Sequence, residues 1–204
     1  MDSTTPAKRS PREEGFAVIG LLVMSMWVLE VVDTIDHHKL DQYGIEPRDA
    51  DGLVGIAAAP FLHAGFGHLI GNTVPFVVMG VLIALGGAAR VFAVTGIVAL
   101  VSGLGVWLIG PENTNHIGAS GIVFGYATYL MTRGFYNRSA LEIVVGIVIF
   151  SIFGTALLGG LAPQQGISWQ GHLFGAIGGV IAARLLTRDR DRDRGSEPRR
   201  PLPA

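Results

Sequence analysis

Ser120 stands between small residues in Gly118-Ala119-Ser120-Gly121, at the head of one apolar run, and His172 follows Gly171 at the head of another. A serine whose proton is taken by a neutral imidazole is a nucleophile for acyl transfer. Its Oγ attacks a carbonyl, and the imidazole hands the proton to the leaving amine. His68 and Asn72 are four residues apart and share one face of a helix. Both could donate hydrogen bonds to a tetrahedral oxyanion, together with the Ser120 backbone N–H at the start of its helix. No carboxylate is placed to orient His172, so the set reads as a dyad. A lone Gly-x-Ser-Gly in an apolar run is more often helix packing, and a lone histidine can bond a backbone carbonyl. What separates these readings is whether the residues reach one depth.

The chain has 204 residues, 50% hydrophobic and only 15% charged, with a mean hydropathy of +0.47. Soluble domains carry about 25% charged residues. Here long stretches carry none while both ends carry many, the pattern of a polytopic membrane protein. The absence of cysteine excludes disulfides, thiolate catalysis and sulfur-ligated metals. A net charge of −1 argues neither for nor against nucleic acid, and no nucleic-acid partner is expected. Twenty-nine glycines in so apolar a chain point to closely packed helices.

Six apolar runs are long enough, or nearly so, to cross a hydrocarbon core of about 30 Å: 16–32, 68–85, 91–109, 118–131, 141–161 and 171–186. The expectation is an all-α membrane bundle over residues 16–187. A polar segment, 1–15, precedes it, and a disordered charged tail, 188–204, follows. Residues 51–61 are apolar enough to lie at the membrane interface. With the N-terminus inside, 13 of the 15 lysines and arginines fall on the inner side and only Lys39 and Arg48 outside. Both termini are therefore expected in the cytoplasm, with the bundle in the cell membrane.

Depth follows from the inner anchors. Ser120 lies 13 residues before Arg133, His172 lies 12 before Arg184, and Asn72 lies 13 before Leu85. At helical rise each sits roughly 20 Å above the inner boundary, so three helices bring polar groups to one layer. The fourth span is short because it starts deep, leaving 110–117 to dip in from outside. Non-helical backbone at that depth requires a water-filled cavity. Gly118, Gly121 and Gly125 on one span, and Gly171, Gly175, Gly178 and Gly179 on the other, would allow the close approach that a Ser–His hydrogen bond needs. Glu30 and Asp33 mark the outer end of the first span, His63 reads as structural, and His116 belongs to the dipping loop. His37-His38 read as a solvated loop with no metal site.

Gly118-Ala119-Ser120-Gly121 resembles the Gly-x-Ser-Gly motif of rhomboid intramembrane serine proteases. Gly171-His172 with Gly175 and Gly179 is similar to that family's sixth-helix pattern. His63 to Asn72 resembles its His-x-x-x-x-His-x-x-x-Asn signature. The three occur in the family's order on the expected spans. The resemblance implies a minimal six-helix rhomboid-like bundle of bacterial type that cleaves single-span membrane proteins near the outer end of their helix. It implies Ser120 and His172 as the dyad and His68 and Asn72 as oxyanion donors, with no metal or cofactor, and the lipid bilayer as partner. It leaves the oligomeric state open. Val54-Gly55 stands where many members carry Trp-Arg. Phe124 stands where a tyrosine often packs on the histidine. The competing function is a non-catalytic rhomboid-like protein that binds membrane helices, though such relatives typically lack the serine or the histidine. A transporter would show an inverted repeat or broken helices in both halves, and neither is evident.

Overall fold

The computed structural model describes residues 9–195 of the chain, all helix and loop apart from isolated bridges. The order is α1 (Pro11–Ile35), a short α2 (Gly55–Ala58), α3 (Phe66–Ala84), α4 (Ala88–Ile109), α5 (Ser120–Asn137), α6 (Ala140–Gly160) and α7 (Trp169–Gly195). Helix starts are written locally. Ser10 and Glu13 form a reciprocal capping box, with Pro11 in the first turn of α1. Ser139 caps α6, accepting from the Glu142 N–H. Arg138, at φ +51°, ends α5 in the left-handed region.

The six long helices alternate in direction, so the N-termini of α3, α5 and α7 meet the C-termini of α1, α4 and α6 at one end. Four of them, α1, α3, α4 and α6, are long and apolar enough to cross a membrane by length and composition. Sequence reading expects six such runs. The two that differ are the innermost. Both sides of α5 are packed, against α6 and against α7, and α7 packs also on α4. Helices shielded from lipid can carry polar side chains, and these carry Ser120, Thr128 and Arg133 on α5, with Gln170 and His172 on α7.

Glycine sets the spacing of this central layer. A Cβ on Gly175 would overlap the carbonyl oxygen of Gly121, and one on Gly179 would overlap that of Gly125. α5 and α7 thus touch backbone to backbone. Thr128 Oγ1 donates across the same seam to the Ala176 carbonyl at 2.8 Å. Around it Phe76, Tyr126, Tyr129, Leu69 and Ile83 are fully buried.

Two boundaries differ from expectation, and a third segment gains a form. α5 starts deep, at Ser120, but runs on to Asn137 rather than stopping near Met131. Residues 51–61, expected as an apolar interfacial stretch without an assigned form, run as a 3-10 turn, α2 and another 3-10 turn. The backbone of α7 stays helical to Gly195, past the expected bundle limit at 187; residues 1–8 and 196–204 lie outside the described residues.

Gly175→Leu should lower the unfolding temperature in detergent, at a cost of about 1–3 kcal/mol from overpacking. Gly20→Ala should leave it unchanged or raise it, because a Cβ there meets nothing within 4 Å. Scanning fluorimetry of both variants checks this; equal behaviour would contradict the close α5–α7 seam.

Candidate active site

Ser120 is the first residue of α5, and His172 lies in the first turn of α7. His172 Nε2 is 2.8 Å from Ser120 Oγ. Its Nδ1 is 2.7 Å from the Gly160 carbonyl at the end of α6. A carbonyl only accepts, so Nδ1 carries the proton and Nε2 offers its lone pair to the serine hydroxyl. The imidazole also stacks on the Phe124 ring, with centroids 4.1 Å apart and planes 8° from parallel. Bond and stack together fix the ring in tautomer and tilt, a task that a carboxylate performs in a triad. The α6 backbone therefore supplies what the sequence reading lacked.

Gly118 has φ +113°, in the left-handed region, which lets the chain turn into α5. A Cβ there would lie 2.6 Å from His68 Cε1 and 3.6 Å from Asn72 Nδ2. Both α3 side chains thus face the backbone just before Ser120. Asn72 is buried, and its Nδ2 has no hydrogen-bond partner. The Ser120 N–H opens its helix and has no carbonyl one turn back. His68, Asn72 and the free Ser120 N–H thus lie around the turn at Gly118 that leads into Ser120.

The loop before α5 is held on both sides. The Gly118 N–H donates to the Ala59 carbonyl at 2.8 Å, and the Ala119 N–H donates to His63 Nε2. Burial, with His68 nearby, pushes His63 down to about 4, so it stays neutral and able to accept. Ile45 and His116 exchange both backbone hydrogen bonds. Thr114 Oγ1 donates to the Pro111 carbonyl, which leaves it to accept from His116 Nε2 at 2.9 Å. His116 Nδ1 then accepts from Ser168 Oγ at 2.7 Å, and burial lowers the His116 pKa in keeping with that neutral form.

Two serines of this region carried no signal in the sequence. Ser168 Oγ accepts the Gly171 N–H at the start of α7 while bonded to His116. Ser102 Oγ donates to the Gly171 carbonyl at 2.8 Å from within α4. Each lacks a motif, and only the meeting of α4 and the loop before α5 with the start of α7 shows its use. With Ser120 and His116 they line a cavity of about 40 Å³, room enough for a water. Gly55 also finds a reason: a Cβ there would overlap the Gly44 carbonyl, leaving no space for a larger side chain.

Comparison with known proteins identifies the family. A family model described as the Rhomboid domain matches residues 51–189. An uncharacterized Mycobacterium tuberculosis protein is 41% identical over 193 residues, covering 90% of this chain and 80% of the relative. One from Mycobacterium leprae is 39% identical over 194 residues, covering 89% and 77%. YdcA of Bacillus subtilis, whose name proposes it as a rhomboid protease, is 27% identical over 137 residues, covering 64% and 66%. A polytopic helical bundle with this domain over most of its length belongs to the rhomboid family.

Proposed function

We propose that the protein is an intramembrane serine endopeptidase. The observation that carries the reading is the 2.8 Å contact between Ser120 Oγ and His172 Nε2, with the Nδ1 proton held by the Gly160 carbonyl. Ser120 attacks the scissile carbonyl as His172 takes its proton. The oxyanion receives hydrogen bonds from the Ser120 N–H, His68 and Asn72. His172 then protonates the leaving amine, and water entering by the polar loops hydrolyses the acyl-enzyme. No metal or cofactor takes part in these steps.

The substrate is a single-span membrane protein whose helix end can unwind, because an intact helix hides its carbonyls in hydrogen bonds. The end of the bundle that carries Ser120 faces outward, and both chain termini lie in the cytoplasm of a cell whose inner membrane holds the bundle. This orientation rests on the lysine and arginine bias. Lateral entry past α6 fits its light packing: only Gly146, Ile149 and Gly154 are buried along it. Because α6 also supplies the Gly160 carbonyl, moving its end would loosen the His172 ring.

The test is turnover of a single-span substrate bearing a helix-weakening segment, in proteoliposomes. Ser120→Ala and His172→Ala should each lose about 10⁴-fold or more in kcat. Normal cleavage by either overturns the assignment, and a wild type that binds such helices without cutting would mark a non-catalytic relative. Asn72→Ala should lose about 10²–10³-fold in kcat with little change in KM. Gly118→Ala should impair turnover as well, since the added methyl is strained at φ +113° and displaces His68. Activity should rise between pH 5 and 8, because a protonated imidazole has no lone pair for Ser120; a flat profile would contradict the base.

A further inference from the structure

At the C-terminal end of α1, the turn that leaves the helix folds back on it. His37 and His38 both take left-handed backbone angles, φ +57° and +59°. The His38 N–H donates to the Asp33 carbonyl at 2.8 Å, bringing its ring over the Asp33 side chain. Sequence alone reads His37-His38 as a solvated loop. The fold instead places His38 Nδ1 3.5 Å from Asp33 Oδ2 and 3.9 Å from Asp41 Oδ2. One ligand-capable atom from each of the three lies within 4.8 Å of the others.

The charges in this cluster do not balance. Asp33 is 2% exposed; its Oδ1 accepts from the Leu40 N–H at 2.6 Å, while Oδ2 has no hydrogen-bond partner and faces His38. Glu30, one turn earlier on the same face of α1, is 1% exposed with both oxygens unpartnered. The Gly65 N–H approaches it without making a hydrogen bond. Asp41 Oδ1 is also buried and unpartnered. Lys39 is turned to Asp36 at 2.8 Å, and among the described residues no lysine or arginine pairs with Glu30, Asp33 or Asp41. Buried carboxylates of this kind are sustained by a cation or by protons.

We propose that Asp33 Oδ2, His38 Nδ1 and an Asp41 carboxylate oxygen bind one divalent cation of the zinc class, at a site separate from Ser120 and His172. An imidazole nitrogen with carboxylate oxygens suits zinc better than calcium, which prefers oxygen alone. Tetrahedral zinc with bonds of about 2.0 Å holds its ligands about 3.3 Å apart, close to the separations present. Glu30 adds negative charge beside them. The ion would fasten the end of α1 to the turn at Leu40–Tyr43. Asn115, in the loop before Ser120, donates to the Asp41 carbonyl, so that turn is tied to the candidate active site.

The experiment uses untagged full-length protein in detergent, stripped with chelator and then offered zinc, manganese or calcium. Metal retained after desalting is measured by mass spectrometry, and unfolding is followed by tryptophan fluorescence. The expected result is one zinc ion per chain and a raised unfolding temperature, as binding to the folded state alone requires. His38→Ala and Asp41→Asn, both at partly exposed sites, should each weaken zinc affinity by about tenfold or more. Failure to retain zinc, preference for calcium or manganese, or retention unchanged in both variants overturns the proposal. Since none of these readouts uses peptide cleavage, they stand apart from the protease assignment.

Discussion

The backbone contact between α5 and α7 is the constraint on which the rest of the site depends. Ser120 and His172 stand on the two helices of this contact, and the backbone approach sets their side chains 2.8 Å apart. Glycines at 121, 125, 175 and 179 remove the Cβ atoms that would hold them apart. Membrane helices gain little from the hydrophobic effect on meeting, so tight van der Waals packing and the Thr128–Ala176 bond must hold this seam. The same glycines cost helix propensity, which the surrounding packed helices offset.

Polar groups at that depth are satisfied by backbone more often than by one another. The Gly160 carbonyl holds His172, the Gly171 carbonyl holds Ser102, and the Ala119 N–H holds His63. Helix ends and loops supply these groups because their N–H and C=O are free of the helical ladder. Bringing three helix N-termini together at one end therefore creates an electropositive neighbourhood and a set of free backbone N–H groups, which suits the oxyanion that the proposed reaction would develop there.

The placement of the site residues was legible because it depends on simple counts. Helical rise from Arg133, Arg184 and Leu85 put Ser120, His172 and Asn72 in one layer, and the structure brings Ser120 to His172 and sets Asn72 beside Gly118. Glycine spacing announced the close seam. The supporting contacts were not legible. Ser102 and Ser168 act through backbone atoms far away in sequence, and no residue type signals which carbonyl a histidine will find. The cluster at Asp33, His38 and Asp41 was hidden for a related reason: two left-handed residues reverse the chain where composition indicates only a polar loop. All six expected spans form long helices, and α5 and α7 are the least apolar of them because packing against neighbouring helices lets them carry polar side chains.

The central claim is that Ser120 is a nucleophile made so by His172. It is tested most directly by treating the detergent-solubilised protein with a fluorophosphonate and mapping the adduct by mass spectrometry. The account predicts a single phosphonylated site at Ser120 in the wild type, with labelling lost in His172→Ala. No adduct at Ser120, or labelling of His172→Ala at the wild-type rate, would contradict it.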